Sequence, residues 1–196
     1  MADRYDAIVV GAGVMGASSA FHLAQRGLKV ALLEKKTIGE GPSGRSSAIV
    51  RQHYSNELTA RMARYSLGVL SNFEEQVGDE CGFTRTGFVV LVEEKDRAGL
   101  EANVALQQRL GIKTELISPE ALAEILPAVE VSGPITAAYE PESGYADPYL
   151  TVTAYARAAR RLGADVRQET PVVDIHFQGG RVASVETAAG RLEAPV

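Results

Sequence analysis

The chain has 196 residues and a formal net charge of −5, and this acidic balance argues against nucleic acid as a partner because phosphate backbones require a basic face. Hydrophobic residues make up 45% of the chain and charged residues 23%, an ordinary composition for a globular protein with a sizeable core. Cys81 is the single cysteine and there are three histidines, so the sequence predicts neither an intrachain disulfide nor a metal site and favours a cytoplasmic location.

The N-terminal segment has the pattern of a strand–helix–strand unit. Residues 5–10 are an apolar run rich in β-branched side chains, which is typical of a buried parallel strand. Residues 14–27 predict a helix, 28–34 a second strand, and the glycine-rich polar stretch 35–47 a loop. Because residues 7–25 carry no Asp, Glu, Lys or Arg, a membrane span or signal peptide is the alternative, which the interrupting glycines disfavour.

The middle of the chain predicts helices and one strand. Apolar residues recur every three or four positions over 56–77, which predicts one long helix with a buried face. That face consists of Leu58, Met62, Tyr65, Val69, Phe73 and Val77. A strand over 88–92 and a helix over 96–110 follow, and the Ser-Pro-Glu sequence at 118–120 supplies the cap, proline and acid that begin a short helix.

The C-terminal part predicts a helix and a β-hairpin. The Asp-Pro pair at 147–148 begins a helix that ends at Gly163, and residues 172–187 alternate around a Gly-Gly pair as a hairpin does. Residues 191–196 have the pattern of a strand that stops before reaching its length. We therefore expect an uncovered sheet edge there, and a chain that is marginally stable and inactive by itself.

A glycine motif between the first strand and the first helix indicates a dinucleotide site. It comprises Gly11, Ala12, Gly13, Val14, Met15 and Gly16. Its first glycine permits a tight turn, the second lets the backbone approach a pyrophosphate at the helix N-terminus, and the third allows close packing. Glu34 ends the second strand, where an acid can accept hydrogen bonds from a ribose diol. The alternative is a glycine-rich turn in an unrelated α/β protein, with Glu34 solvated.

Four further segments carry a family resemblance. They read EKKTIGEGPSGRSSAIVRQHYS after the second strand, TRTGF at 84–88, EPESGYADPYLTVTAYARAARRLGADV at 140–166 and TPVVDI at 170–175. In these segments the chain resembles the D-amino-acid oxidase, glycine oxidase and sarcosine oxidase family of flavoproteins. The resemblance implies an α/β fold, in which a Rossmann-like FAD-binding domain is interrupted by part of an α+β substrate domain.

The resemblance also implies a domain division. Residues 1–80 would form the first part of the FAD-binding domain, 81–144 a partial substrate domain, and 145–196 an incomplete second FAD-binding part. Members of the family are longer, so the chain is expected to be truncated or completed by a second polypeptide.

By resemblance the expected cofactor is FAD. Some relatives attach it covalently through a histidine just after the second strand or a cysteine in the C-terminal half, whereas residues 43–48 here contain no histidine and Cys81 lies outside that half, so noncovalent FAD is expected. By resemblance, the loop after the second strand lies along FAD. Its candidate contacts are Ser43, Gly44, Arg45, Ser46 and Ser47, with helix capping as the alternative for the last two serines. Glu34 resembles the ribose ligand, Lys35 follows it as a further candidate, and Val172 falls where the family contacts the adenine through its backbone.

Arg51 and Tyr54 are the candidate substrate residues, in the sequence Ile-Val-Arg-Gln-His-Tyr. Sarcosine oxidases have an arginine at the matching place that binds the substrate carboxylate, and a guanidinium offers a bidentate fork for that purpose. The alternatives are a surface or phosphate-neutralising role for Arg51, simple packing for Tyr54, and either flavin contact or a structural role for His53.

The implied activity is oxidation of the C–N bond of a small amino acid or secondary amine, by hydride transfer from the substrate Cα to the flavin. No residue is assigned as a general base. Three alternatives stay open: a nicotinamide-dependent dehydrogenase, a noncatalytic flavin-binding subunit of a multi-subunit amine dehydrogenase, and a tRNA-modifying or glycerol-phosphate flavoenzyme. The GEGPSGRSS loop disfavours the first, and the acidic charge disfavours tRNA.

Overall fold

A computed structural model of the chain describes residues 3–130 and 134–195. The strands are β1 (Asp3–Arg4), β2 (Ala7–Val10), β3 (Val30–Leu33), β4 (Ile49–Val50), β5 (Thr84–Arg85), β6 (Phe88–Glu93), β7 (Glu115–Ile117), β8 (Ile135–Glu140), β9 (Gly144–Tyr145), β10 (Asp165–Arg167), β11 (Val172–Gln178), β12 (Arg181–Thr187) and β13 (Gly190–Glu193). The α-helices are α1 (Val14–Gln25), α2 (Glu57–Ser71), α3 (Phe73–Val77), α4 (Arg97–Arg109), α5 (Pro119–Ile125) and α6 (Pro148–Arg161). Short 3-10 helices span Ser43–Arg45 and Glu94–Asp96.

The chain divides into two compact units. Unit 1 comprises residues 1–48, 73–82 and 147–196, and unit 2 comprises residues 49–72 and 83–146. Residues 49–72 therefore group with unit 2, whereas the sequence placed them in the first FAD-binding part. The reason is contact with distant segments of unit 2. Strand β4 pairs with β9, and Ala60 of α2 packs against Leu110 and Ile112. Which unit binds which molecule stays a prediction.

Unit 1 contains a three-stranded parallel sheet in the order β10-β3-β2. The central strand β3 is buried on both faces, with each of its four residues no more than 1% exposed, which explains its continuous apolar sequence. Helix α1 joins β2 to β3 and packs against α6 through small side chains. Their buried alanines include Ala17, Ala20, Ala24, Ala154 and Ala158. The predicted strand–helix–strand order is confirmed, with β2 and β3 shorter than expected.

The second sheet of unit 1 corrects the expectation of an unfinished strand. Its order is β1-β13-β12-β11, so β13 is an interior strand that pairs in parallel with β1 and antiparallel with β12. Leu192 of β13 is 2% exposed and packs in a core cluster with Tyr5 and Val185. The predicted uncovered edge at 191–196 is therefore wrong, although Val196 itself lies outside the described residues. The hairpin predicted over 172–187 is confirmed as β11 and β12.

Unit 2 has two antiparallel sheets. One has the order β6-β8-β7, and Leu100 and Val104 of α4 pack on it against Ala138. The other has the order β4-β9-β5. Helix α5 begins at its predicted cap, where the Ser118 side chain accepts a hydrogen bond from the Ala121 N–H. These elements place Ile49–Val50, Thr84–Arg85 and Gly144–Tyr145 side by side.

The long helix predicted over 56–77 is wrong in two respects. The helix breaks at Asn72, whose Nδ2 donates to the Gly68 carbonyl oxygen and thereby competes with the helical backbone. The predicted buried face is also half wrong, because its N-terminal members lie in solvent. Leu58, Met62 and Tyr65 are 70%, 62% and 70% exposed. Sequence periodicity finds a helical face but does not say which element covers it.

A polar cluster in unit 1 predicts a stability change at alkaline pH. The Tyr5 hydroxyl donates to the Asp165 carboxylate over 2.5 Å and accepts from Arg167. Burial, followed by the hydrogen bond and charge of Asp165, raises the pKa of Tyr5 from 10.0 to about 12. A raised folded-state pKa means that this contribution to stability is complete below pH 10 and is lost as pH rises to 12.

We expect the free energy of unfolding to fall by up to about 3 kcal/mol through this window, since one pKa unit corresponds to roughly 1.4 kcal/mol. The Tyr5→Phe variant should lose this part of the pH dependence, as measured by denaturant unfolding at several pH values. Identical alkaline slopes for the variant and the wild-type protein would contradict the expectation.

Candidate functional site

The glycine turn of unit 1 joins β2 to α1 in a conformation that depends on its glycines. Gly11 has φ 97°, a left-handed conformation, and its N–H donates to the Leu33 carbonyl oxygen over 2.7 Å. A Cβ on Gly16 would lie 1.8 Å from the Gly11 carbonyl oxygen, a distance no side chain tolerates. The helix therefore starts directly against the turn.

The first turn of α1 is exposed to solvent. Gly13 is the N-cap residue, and no side chain caps the helix through it. The Val14 N–H donates to Ser43 Oγ over 3.0 Å, and a Cβ on Gly13 would lie 3.0 Å from the same oxygen. Val14 is 39% and Met15 77% exposed. First-turn N–H groups lack intrahelical partners and carry the positive end of the helix dipole, so this end of α1 fits a phosphate anion.

Glu34 is held beside the glycine turn by its carboxylate. One oxygen accepts from the Ala12 N–H over 2.8 Å and the other from the Lys36 N–H over 2.9 Å. The Glu34 backbone pairs with Arg167 and Thr170, which fixes the residue at the end of the sheet. Each carboxylate oxygen keeps a further lone pair, so the group can also accept from ribose hydroxyls. Lys35 is exposed, and its role stays a prediction.

The loop after β3 returns to the glycine turn. The Gly39 N–H donates to the Ala12 carbonyl oxygen over 3.1 Å, and the Gly44 N–H donates to the Gly39 carbonyl oxygen. A Cβ on Gly44 would lie 2.1 Å from that Gly39 oxygen, so this position also requires glycine. The loop is therefore an ordered structure against the turn.

The other loop candidates are exposed side chains. Arg45 donates to the Glu40 carbonyl oxygen, and Ser46 Oγ accepts from the Ala48 N–H over 2.9 Å. Ser47 lies in solvent. Val172 begins β11 and packs half-buried on the core cluster that contains Tyr5. Contacts of these residues with a cofactor stay predictions.

Unit 2 brings Arg51 and Tyr54 together. The Arg51 guanidinium carbon lies 5.1 Å from the Tyr54 ring centroid and 5.6 Å from that of Phe88. Its Nη1 donates to the His53 carbonyl oxygen over 3.4 Å. Within 3–130 and 134–195, no carboxylate forms an ion pair with Arg51. An exposed guanidinium held on two aromatic rings has donors left for an incoming carboxylate.

Glu140 is a buried carboxylate that the sequence analysis did not single out. It contacts the backbone of Gln52, the residue directly after Arg51. Glu140 ends β8 and is 0% exposed. Its Oε2 accepts from the Gln52 N–H over 2.9 Å and from Ser143 Oγ over 2.8 Å, and its Oε1 lies 3.5 Å from His53 Nδ1. The sequence signal was an acid that ends the largely apolar run ITAAYE. His53 is buried, and neither ring nitrogen has a hydrogen-bond partner among the described residues.

The described residues include no group of three or more His, Cys, Asp or Glu side chains arranged to hold a metal ion. None of the helices in the described ranges is long and apolar enough to cross a membrane. Cys81 is 3% exposed and is therefore a buried thiol.

The chain is similar in sequence to two proteins of known name. The chain is 29% identical over 197 residues to the sarcosine oxidase subunit beta of Rhodobacter capsulatus, covering 97% of this chain and 48% of that protein. It is 30% identical over 190 residues to the mitochondrial pyruvate dehydrogenase phosphatase regulatory subunit of Mus musculus, covering 95% of this chain and 21% of that protein. The chain thus spans about half of the first relative and less of the second.

A solved structure matches the whole fold. The crystal structure of L-proline dehydrogenase from P. horikoshii superposes with a TM-score of 0.92 at 29% identity, covering 100% of this chain and 52% of that one. The model of the DAO family, described as FAD dependent oxidoreductase, matches residues 6–196. FAD, the cofactor of that family, fits the exposed first turn of α1 and the ordered Glu34 carboxylate of unit 1. The chain belongs to the DAO family of FAD-dependent oxidoreductases.

Proposed function

We propose that this chain supplies the FAD-binding part of an oxidoreductase that oxidises the C–N bond of a small amino acid, with secondary amino acids as the preferred class. The observation that carries the proposal is the Arg51 guanidinium, exposed on Tyr54 and Phe88 and without an ion-pair partner among the described residues. Two similar proteins are named as a sarcosine oxidase subunit and an L-proline dehydrogenase. Sarcosine and L-proline share a secondary amine and an α-carboxylate.

The residues of the chain have separate tasks in this proposal. The N-terminus of α1 binds the pyrophosphate, and Glu34 accepts hydrogen bonds from a ribose diol. Bound FAD supplies the acceptor for the hydride that the substrate loses. Arg51 binds the substrate carboxylate through two parallel N–H···O hydrogen bonds, which orients the amino acid. The Tyr54 and Phe88 rings lie within cation–π distance of the guanidinium and hold it in place for the carboxylate.

A panel of matched substrates tests the proposal. Sarcosine is compared with dimethylamine, L-proline with pyrrolidine, and glycine with methylamine, each pair differing in the carboxylate. We expect kcat/KM to be on the order of 100-fold higher for the acids, because losing one partner of a charge pair that substrate binding buries costs roughly 2–5 kcal/mol. Equal oxidation of acids and amines would contradict the proposal.

A noncatalytic flavin-binding subunit is the second candidate, because one relative is a regulatory subunit. The same panel separates the two candidates, since this second function predicts bound FAD without turnover of any member. Completion of the fold by a second polypeptide or by further chain, and a cytoplasmic location, stay predictions.

A further inference from the structure

We propose that Glu140 is a positioning residue for Arg51, acting through the buried polar cluster of Gln52, His53, Glu140 and Ser143. The inference rests on the proposed role of Arg51 as the carboxylate-binding residue. It concerns contacts within unit 2 alone.

The burial of the cluster is the first observation. Glu140 and Ser143 are 0% exposed, Gln52 is 1% and His53 8% exposed. Removing a carboxylate from water is costly unless hydrogen bonds and an opposite charge compensate for the loss. A leucine would pack at the end of β8 without that cost, so the acid at this place points to a role beyond packing.

The contacts of Glu140 show what that role is. Its Oε2 accepts from the N–H of Gln52, the residue directly after Arg51. On the other side, Val50 pairs with Gly144 through the β4–β9 ladder. The Arg51 backbone is therefore held from both neighbours. Ser143 donates to the same Oε2, which fixes the carboxylate in turn.

His53 connects the carboxylate to the guanidinium. Its ring Nδ1 lies 3.5 Å from Glu140 Oε1, while its backbone carbonyl accepts from Arg51 Nη1. Within the described ranges, no Lys or Arg side chain forms an ion pair with Glu140. Without the carboxylate beside the His53 ring, we expect the His53 carbonyl that holds Arg51 to be less firmly fixed.

A double-mutant cycle in the flavin-loaded, active protein tests the inference. Glu140→Gln, Arg51→Ala and the double variant are compared by steady-state kinetics on sarcosine and by acetate binding, followed through the flavin absorbance. We expect Glu140→Gln to raise KM and the acetate Kd on the order of 10-fold, because small displacements of a positioning group weaken binding strongly. FAD content and kcat should change little. In the Arg51→Ala background, Glu140→Gln should have no further effect on either constant.

Controls make each outcome decisive. Glu142→Gln alters a glutamate two positions away that pairs with Lys113 at the surface, and it should leave KM and acetate binding unchanged. Should Glu140→Gln fail to fold, Ser143→Ala removes one donor to the same oxygen and carries the cycle instead. An effect of Glu140→Gln that is equal in the wild-type and Arg51→Ala backgrounds, or its absence in both, would overturn this inference while the role of Arg51 stands. No effect of Arg51→Ala itself would overturn both.

Discussion

Gly16→Ala is expected to abolish tight FAD binding. The added Cβ would lie 1.8 Å from the Gly11 carbonyl oxygen and 3.4 Å from a Val9 methyl carbon, so α1 must move away from the turn. That movement would displace the N–H groups that we propose bind the pyrophosphate. We expect FAD affinity to fall on the order of 100-fold or more, since a displacement of about 1 Å at a positioned site has effects of this size. Flavin content after purification and FAD titration measure the loss.

Gly68→Ala is the matched control. Gly68 also lies within a helix, but a Cβ there would meet nothing within 4 Å. Alanine at such a position should stabilise the protein by roughly 0.5–1 kcal/mol and leave FAD binding unchanged. Wild-type FAD affinity in Gly16→Ala would show that the glycine turn is not the pyrophosphate site.

Arg51→Ala is expected to remove most of the preference for substrates that carry a carboxylate. The guanidinium is positioned by the Tyr54 and Phe88 rings and the His53 carbonyl, and alanine leaves no cation there. We expect kcat/KM for sarcosine or L-proline to fall on the order of 100-fold or more, as for truncation of one partner of a charge pair that substrate binding buries. FAD content should stay at the wild-type value, because the expected loss concerns the substrate.

Arg51→Lys and a surface arginine complete this test. Lysine keeps the charge but loses the planar fork and its stacking on the rings, so its defect should be intermediate. Arg61→Ala removes an exposed arginine of α2 that pairs with Glu57 and should have no effect. Unchanged kinetics in Arg51→Ala would contradict the substrate-binding role and favour a surface or phosphate-neutralising role for Arg51.

Local patterns predicted the glycine turn and most elements around it. Gly11 and Gly16 are close in sequence and meet constraints within the turn itself: Gly11 has a left-handed backbone, and Gly16 lies against the Gly11 carbonyl oxygen. The caps at Ser118 and Asp147 likewise act on N–H groups three residues away. Such features depend on short-range geometry, so sequence alone identifies them. The roles of these residues toward FAD and substrate stay predictions.

Contacts between distant segments decided the rest. The sequence alone determined the strand–helix–strand unit, the hairpin and a family resemblance that the family match confirms. Only the tertiary structure placed β13 between β1 and β12, exposed the first half of the α2 apolar face, and set Glu140 against the backbone after Arg51. Periodicity shows which side chains are apolar and how they are spaced, and a single acidic residue shows only that a negative charge is present. Which partner each one meets depends on segments far away in the chain, such as the 88 positions that separate Gln52 from Glu140.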